Sequence, residues 1–157
     1  MKASPAPDGT LLLCPETPAD WDMLGGIVRD GTGRGLAEAM GGLMEGSPAA
    51  LDWHDYVVPE LAETYSSQLE FIARAVGEAR EDAQDGPGLI VIRREDADLW
   101  YGALNQARLA LEERHQLAGA TAVEDVMALP RPRREAYFRS HVYLQLQSML
   151  LDTLMSP

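Results

Sequence analysis

Along most of this chain apolar residues return every three or four positions, the signature of helices with one buried face, while two short runs break that rhythm and read as strands. Thr10 to Cys14 is a leucine-rich run ended by Pro15, and Leu89 to Ile92 is the most β-branched stretch. Together they predict a two-stranded ribbon over about residues 10–14 and 88–92, too small to stand alone and therefore packed on helices. Pro5, Pro7, Asp8 and Gly9 mark residues 1–9 as a short loose leader. Thr17, with Asp20 three residues later, predicts the cap of a helix whose Trp21, Leu24, Ile27 and Val28 share a face, and the glycine-rich run Gly31 to Gly35 breaks it. Leu36 to Met44 predicts a short helix weakened by Gly41 and Gly42. Asp52 opens a long one with Pro59 at or near its first turn, and Leu61, Tyr65, Leu69, Ile72 and Val76 keep helical spacing to about Asp82.

Residues 96–117 carry two stripes rather than one. At 100° per residue, Trp100, Leu104, Ala107 and Leu111 fall on one line, and Tyr101, Asn105, Arg108, Glu112 and His115 on another about a quarter turn away. The first packs. The second is a column of organised polarity, fit either for a hydrogen-bonded network between helices or for a binding site. The spacing predicts a helix capped by Asp96 and ending near Gly119. Thr121 to Leu129 predicts a short helix, and Arg133 to Met155 a long final one. Its Phe138, Val142, Leu146, Met149 and Leu150 form an apolar face, while Tyr143, Leu144, Leu151, Leu154 and Met155 make the last turns apolar on more than one side. Such a helix is either central or part of an interface with a second copy. The expected fold is mainly α, a helical bundle with a small two-stranded β ribbon, in a single globular domain over residues 1–157.

Composition narrows the function classes. The formal charge of −12 argues against nucleic acid, whose phosphates demand clustered Lys and Arg. The acidity is uneven: residues 1–92 carry 16 acids and 5 bases, residues 93–157 carry 9 and 8. No apolar run approaches the roughly 20 residues of a membrane span, so no membrane partner is expected. A lone cysteine, Cys14, excludes an intramolecular disulfide and points to a reducing, cytoplasmic compartment.

The segment Trp100, Leu104-Asn105, Arg108-Leu109, with Arg114 following, resembles the W-x-x-x-L-N-x-x-R-L helix of the bacterial domain-of-unknown-function family DUF2017. Tyr143-Leu144, Gln147 and Leu150 resemble its closing helix, and Val58-Pro59 is compatible with its middle, so the resemblance covers about residues 53–155. Glu112-Glu113 stands where that family places a glycine-containing turn, and Gly31 to Gly35 has no counterpart there. The family has no established activity. Some members are encoded beside an adaptor of the Clp protease, which implies a role near regulated proteolysis.

The chemical inventory is thin. Glu112-x-x-His115 is half of a di-iron motif whose second half is missing, so no metal and no cofactor is expected, and a histidine favoured by the helix dipole is the plainer reading. The Gly31 to Gly35 run lacks the spacing of a phosphate loop, Cys14 sits among leucines as a small apolar residue, and Ser66-Ser67 has no elbow motif, so no catalytic residue is assigned. Arg108, flanked by apolar residues, needs a partner, and Asp152 or an acid near Glu60 and Glu63 is expected to supply it. Arg131, Arg133, Arg134 and Arg139 form the only basic cluster, suited to a solvated helix start, to contact with an acidic partner, or to contact with the acidic first half. Two functions stay open. One is a non-enzymatic cytoplasmic interaction or regulatory domain that docks a protein partner or a second copy through its C-terminal helix. The other is a small enzyme or ligand-binding domain using the Tyr101, Asn105, Arg108, Glu112 and His115 column in a pocket.

Overall fold

The computed structural model describes residues 1–32, 36–84, 86–117 and 123–155. Three antiparallel strands, β1 (Lys2–Pro5), β2 (Leu11–Cys14) and β3 (Ile90–Ile92), form a sheet in the order β1-β2-β3. The paired runs predicted over 10–14 and 88–92 are therefore present, with Leu11 opposite Ile92 and Leu13 opposite Ile90, all four buried on one face. The leader is not loose. Its Lys2–Pro5 adds a third strand, folded back by a hairpin in which Gly9 has φ +80° and the Asp8 carboxylate accepts from the Thr10 amide and hydroxyl.

Thr17 caps α1 (Pro18–Gly31) in a reciprocal box, its hydroxyl accepting from the Asp20 amide while Asp20 accepts from the amide of Thr17. Trp21, Leu24 and Ile27 of this helix are buried, and the Trp21 indole donates to the Gly86 carbonyl at 3.0 Å, tying α1 to the turn before β3. Thr32 caps its far end through Val28; the predicted glycine break at 33–35 lies outside the described residues.

After α2 (Leu36–Gly42), the long helix differs from the expectation at its start. It opens at α3 (Ala50–Asp52), widens into a π-helical turn over Trp53–Val57, and continues as α4 (Val58–Asp82). Pro59 is the second residue of α4, but the backbone is already helical before it. It has no N–H to donate, and its ring crowds the carbonyl four residues back; the π turn takes up the misfit.

A short 3-10 turn, Arg94–Asp96, leads into α5 (Ala97–His115), and Asp96 makes no side-chain cap. The helix stops at His115 rather than near Gly119, because Gln116 turns left-handed at φ 49°. Then come α6 (Val123–Ala128) and α7 (Arg131–Leu150), which ends in a second π turn, Leu151–Met155.

The core surrounds α5, which packs against α1, α4 and α7. Trp100, Leu104, Ala107 and Leu111 are all buried as their common line predicts, and Ala103 beside them lets neighbouring helices approach closely. On α7 the buried line is Ala136, Ser140, Tyr143, Leu146, Gln147 and Leu150, continued by Leu154. Phe138, expected on the apolar face, lies outside it and is 51% exposed. The line through Tyr143 and Leu150 aligns with α5, and Phe138 falls on the opposite side of the cylinder.

Leu104→Ala is expected to lower the unfolding free energy by about 2–5 kcal/mol through the cavity it leaves. Phe138→Ser is expected to stay within about 0.5 kcal/mol. Urea denaturation of the two variants checks both.

Candidate functional site

Two polar knots lie where α1, α5 and α7 meet. In the first, Asp30 continues the apolar line of α1 one turn beyond Ile27 and is buried. Its carboxylate accepts from Arg139 Nε at 2.8 Å and Nη2 at 3.2 Å, and from the Tyr143 hydroxyl at 2.9 Å. Gly26 makes room for that hydroxyl: a Cβ there would stand 2.7 Å from Tyr143 Oη. Burial works against the Arg139 cation, but the adjacent carboxylate outweighs it and holds the guanidinium above its ordinary range. Burial and the same carboxylate push the Tyr143 phenol well above its usual range, so it stays a protonated donor.

The second knot holds part of the predicted column. Arg108 donates to Gln147 Oε1 on α7 at 2.9 Å and, at 3.4 Å, to Glu112 on its own helix. Gln147 is buried and returns a bond from its Nε2 to the Tyr101 carbonyl at 3.4 Å. Among the described residues the expected acid from another helix is not there: neither Asp152 nor Glu60 nor Glu63 pairs with Arg108. A neutral amide suffices because Glu112 and solvent share the charge at a half-buried edge. Asn105 is half-buried and makes no side-chain hydrogen bond among the described residues.

His115, the last residue of α5, is half-buried. Burial, then the guanidiniums of Arg114 and Arg139, push its pKa below the ordinary histidine value, against the opposing pull of Asp30. The imidazolium favoured by a helix dipole is therefore not the form this site prefers. Arg133 takes the cationic role at the helix end, donating to the carbonyls of His115 at 2.9 Å and Gln116 at 2.6 Å. The basic cluster is thus divided: Arg139 reaches the acidic first half through Asp30, Arg131 pairs with Glu135 on its own helix, and Arg134 donates to the Met127 carbonyl.

Gln106, unremarked in the sequence, is buried on the other side of α5 and donates to Gln68 Oε1 at 2.8 Å and the Tyr65 carbonyl at 3.3 Å on α4. Asp30, Gln106 and Gln147 share one legible signal: a hydrogen-bonding residue on or beside an apolar helical line.

Two cavities lie elsewhere. One, of about 340 Å³, is bounded by Val28, Leu36, Ala37, Tyr65 and Leu69 between α1, α2 and α4. The other, of about 450 Å³, runs between α4 and β3 past Phe71, Arg74, Glu78, Asp82 and Arg93. None of Tyr101, Asn105, Arg108, Glu112 and His115 lines either. Among the described residues no group of three or more His, Cys, Asp or Glu side chains converges as a metal site, and no helix is long and apolar enough to cross a membrane.

The model of a family described as a domain of unknown function, DUF2017, matches residues 43–156, a span that contains α4, α5 and α7. No curated protein and no solved structure matches the chain.

Asp30→Ala leaves Arg139 and the Tyr143 hydroxyl without their shared acceptor and is expected to cost about 3 kcal/mol or more. Arg108→Ala, which strips one donor from Gln147, is expected to cost about 1–3 kcal/mol; chemical denaturation ranks the two. His115 contributes a pH term. Its folded pKa lies below the unfolded 6.5, so its stabilisation is present above that value and is lost as pH falls through the depressed folded value. The melting temperature is expected to fall on acidification from neutral pH, and His115→Gln is expected to remove that component of the slope.

Proposed function

The chain belongs to DUF2017, and we propose that it is a non-enzymatic protein-interaction domain whose partner docks on residues 40–56, not on the polar column of α5. The observation that carries this reading is the exposure of Leu43 at 78%, Leu51 at 78% and Tyr56 at 71% within one short excursion. Scattered apolar residues on a surface are ordinary. Three large ones this exposed, so close in sequence, form the kind of patch that marks an interaction site.

The column supports the same reading from the other direction. Arg108 spends its hydrogen bonds on Gln147 and Glu112, and no cavity described here opens beside it. The alternative, a ligand-binding or catalytic pocket built on Tyr101, Asn105, Arg108, Glu112 and His115, requires concave space beside the column, and these residues line neither the cavity between α1, α2 and α4 nor the one between α4 and β3. The C-terminal helix is the weaker docking surface: Tyr143, Leu146, Leu150 and Leu154 are buried in the core, leaving Leu144 and Leu151 at 38% and 42% exposure. A cytoplasmic setting, consistent with the single free cysteine, and a place near Clp-type regulated proteolysis belong to this proposal as family analogy.

The full chain, immobilised as bait in native cell extract, is expected to retain a defined protein, and Asn105→Ala is expected to retain it equally. Retention of no protein, or recovery of a small molecule with the wild type that Asn105→Ala loses, overturns the proposal in favour of the pocket. On gel filtration Leu144→Ser/Leu151→Ser is expected to elute as the wild type does; a shift to smaller size assigns the interface to a second copy instead.

A further inference from the structure

Residues 42–57 form an excursion whose two ends are pinned together. Gly41 on α2 lies so close to α4 that a Cβ there would stand 2.8 Å from Val58 Cγ2. The chain leaves at Gly42, runs through turns and α3, and returns through the π turn to Val58. Leu43 and Tyr56 stand near the two ends of this loop, and Leu51 precedes Tyr56 by five residues, about one turn of a widened helix. Their neighbour Met40 is also exposed.

The formal charge of the stretch that carries this patch has one sign. From Leu36 to Ala73 the chain has seven acids, Glu38, Glu45, Asp52, Asp55, Glu60, Glu63 and Glu70, and no lysine or arginine. All seven are exposed. A nucleic acid or an anionic lipid surface carries the same sign and is repelled. The complementary occupant is a protein segment with apolar anchors and basic flanks. The chain's own basic cluster is a poor candidate for that role, because Arg133, Arg134 and Arg139 are already bonded to α5, α6 and α1 and Arg131 to Glu135.

A second observation falls on the same segment. The indole N–H of Trp53, inside the π turn, is buried and has no hydrogen-bond acceptor among the described residues. An unpaired buried donor is rare and calls for an explanation.

We propose that Met40, Leu43, Leu51 and Tyr56, rimmed by Glu45, Asp52 and Asp55, are a docking surface for a basic amphipathic segment of a partner protein. The proposal rests on the interaction-domain reading and adds the chemistry of the partner. Leucines of the incoming segment cover Leu43, Leu51 and Tyr56, its lysines or arginines meet the rim, and the match of charge steers encounter and weakens with added salt.

The probe is a fluorescent synthetic helical peptide with leucines on one face and lysines on the other, titrated by anisotropy against the full chain. A second peptide replaces each lysine by glutamate. Leu43→Ser/Leu51→Ser/Tyr56→Ser removes the apolar patch at unchanged charge, and Glu45→Gln/Asp52→Asn/Asp55→Asn removes the rim. Glu78→Gln/Glu81→Gln/Asp82→Asn removes three exposed acids at the far end of α4. The substituted side chains are exposed, and unchanged circular dichroism confirms the folds.

Loss of at least about tenfold in affinity for the lysine peptide in each local variant, with little change in the remote one, supports the proposal. It is overturned by equal loss in the remote variant, which makes binding a matter of net charge. Undiminished binding to the serine variant, or equal affinity for the glutamate peptide, also overturns it. So does a wild-type dimer that the serine variant dissolves, which makes the occupant a second copy. If the lysine peptide fails while extract capture still yields a partner that the serine variant loses, the basic partner chemistry is wrong and the interaction-domain reading stands. If extract capture yields no partner from any bait, that reading falls as well.

Discussion

Enclosure of α5 by α1, α4 and α7 is the constraint from which the other features follow. A helix covered on three sides has little room for a wide polar face, so its apolar line carries the core and its polar residues are pressed against neighbours. Gln106 turns to α4 and Arg108 to α7, each meeting a side-chain amide that fits a crowded seam without bringing a second full charge into it. The close approach depends on small residues, with Ala103 and Ala107 both fully buried beside larger Trp100, Leu104 and Leu111.

Asp30, the one buried carboxylate among the described residues, lies at the junction of α1 and α7, outside the α5 column. Its two hydrogen-bonded partners, a guanidinium and a phenol held in protonated form, compensate its removal from water. This contact also joins the acidic first half of the chain to the more balanced second half. The acids of residues 36–73 have no such internal use. They remain on the surface, as do Leu43, Leu51 and Tyr56.

Much of the architecture was readable from periodicity. The helices carrying Trp21 to Ile27, Ile72 to Val76 and Trp100 to Leu111 bury the residues their spacing selects, and the Thr17 box caps where it should. The third strand escaped because Lys2–Pro5 is short, polar and ends in proline, although the Pro7-Asp8-Gly9 turn before Leu11 was a hairpin signal in plain view. Of the polar column, Arg108 and Glu112 pair with each other, Tyr101 contributes its carbonyl, Asn105 stays unpaired among the described residues, and burial and nearby arginines lower the pKa of His115. The column was visible, yet its partners were not.

Spacing along one chain reports which residues share a helical face, because that depends only on the rise and turn of the backbone. From it came the helices, the paired strands, the apolar line of α5 and the expectation that a guanidinium would be buried beside a second helix. That Arg108 met an amide of α7 while the carboxylate of Asp30 met Arg139 depended on how helices far apart in sequence settled against each other: Arg139 and Asp30 are 109 residues apart. A rotation of α7 by rather less than half a turn about its own axis, about 140° at 100° per residue, exchanges Tyr143 for Phe138 on the inner face. That alignment is set by the packing of whole surfaces, and no single segment carries it.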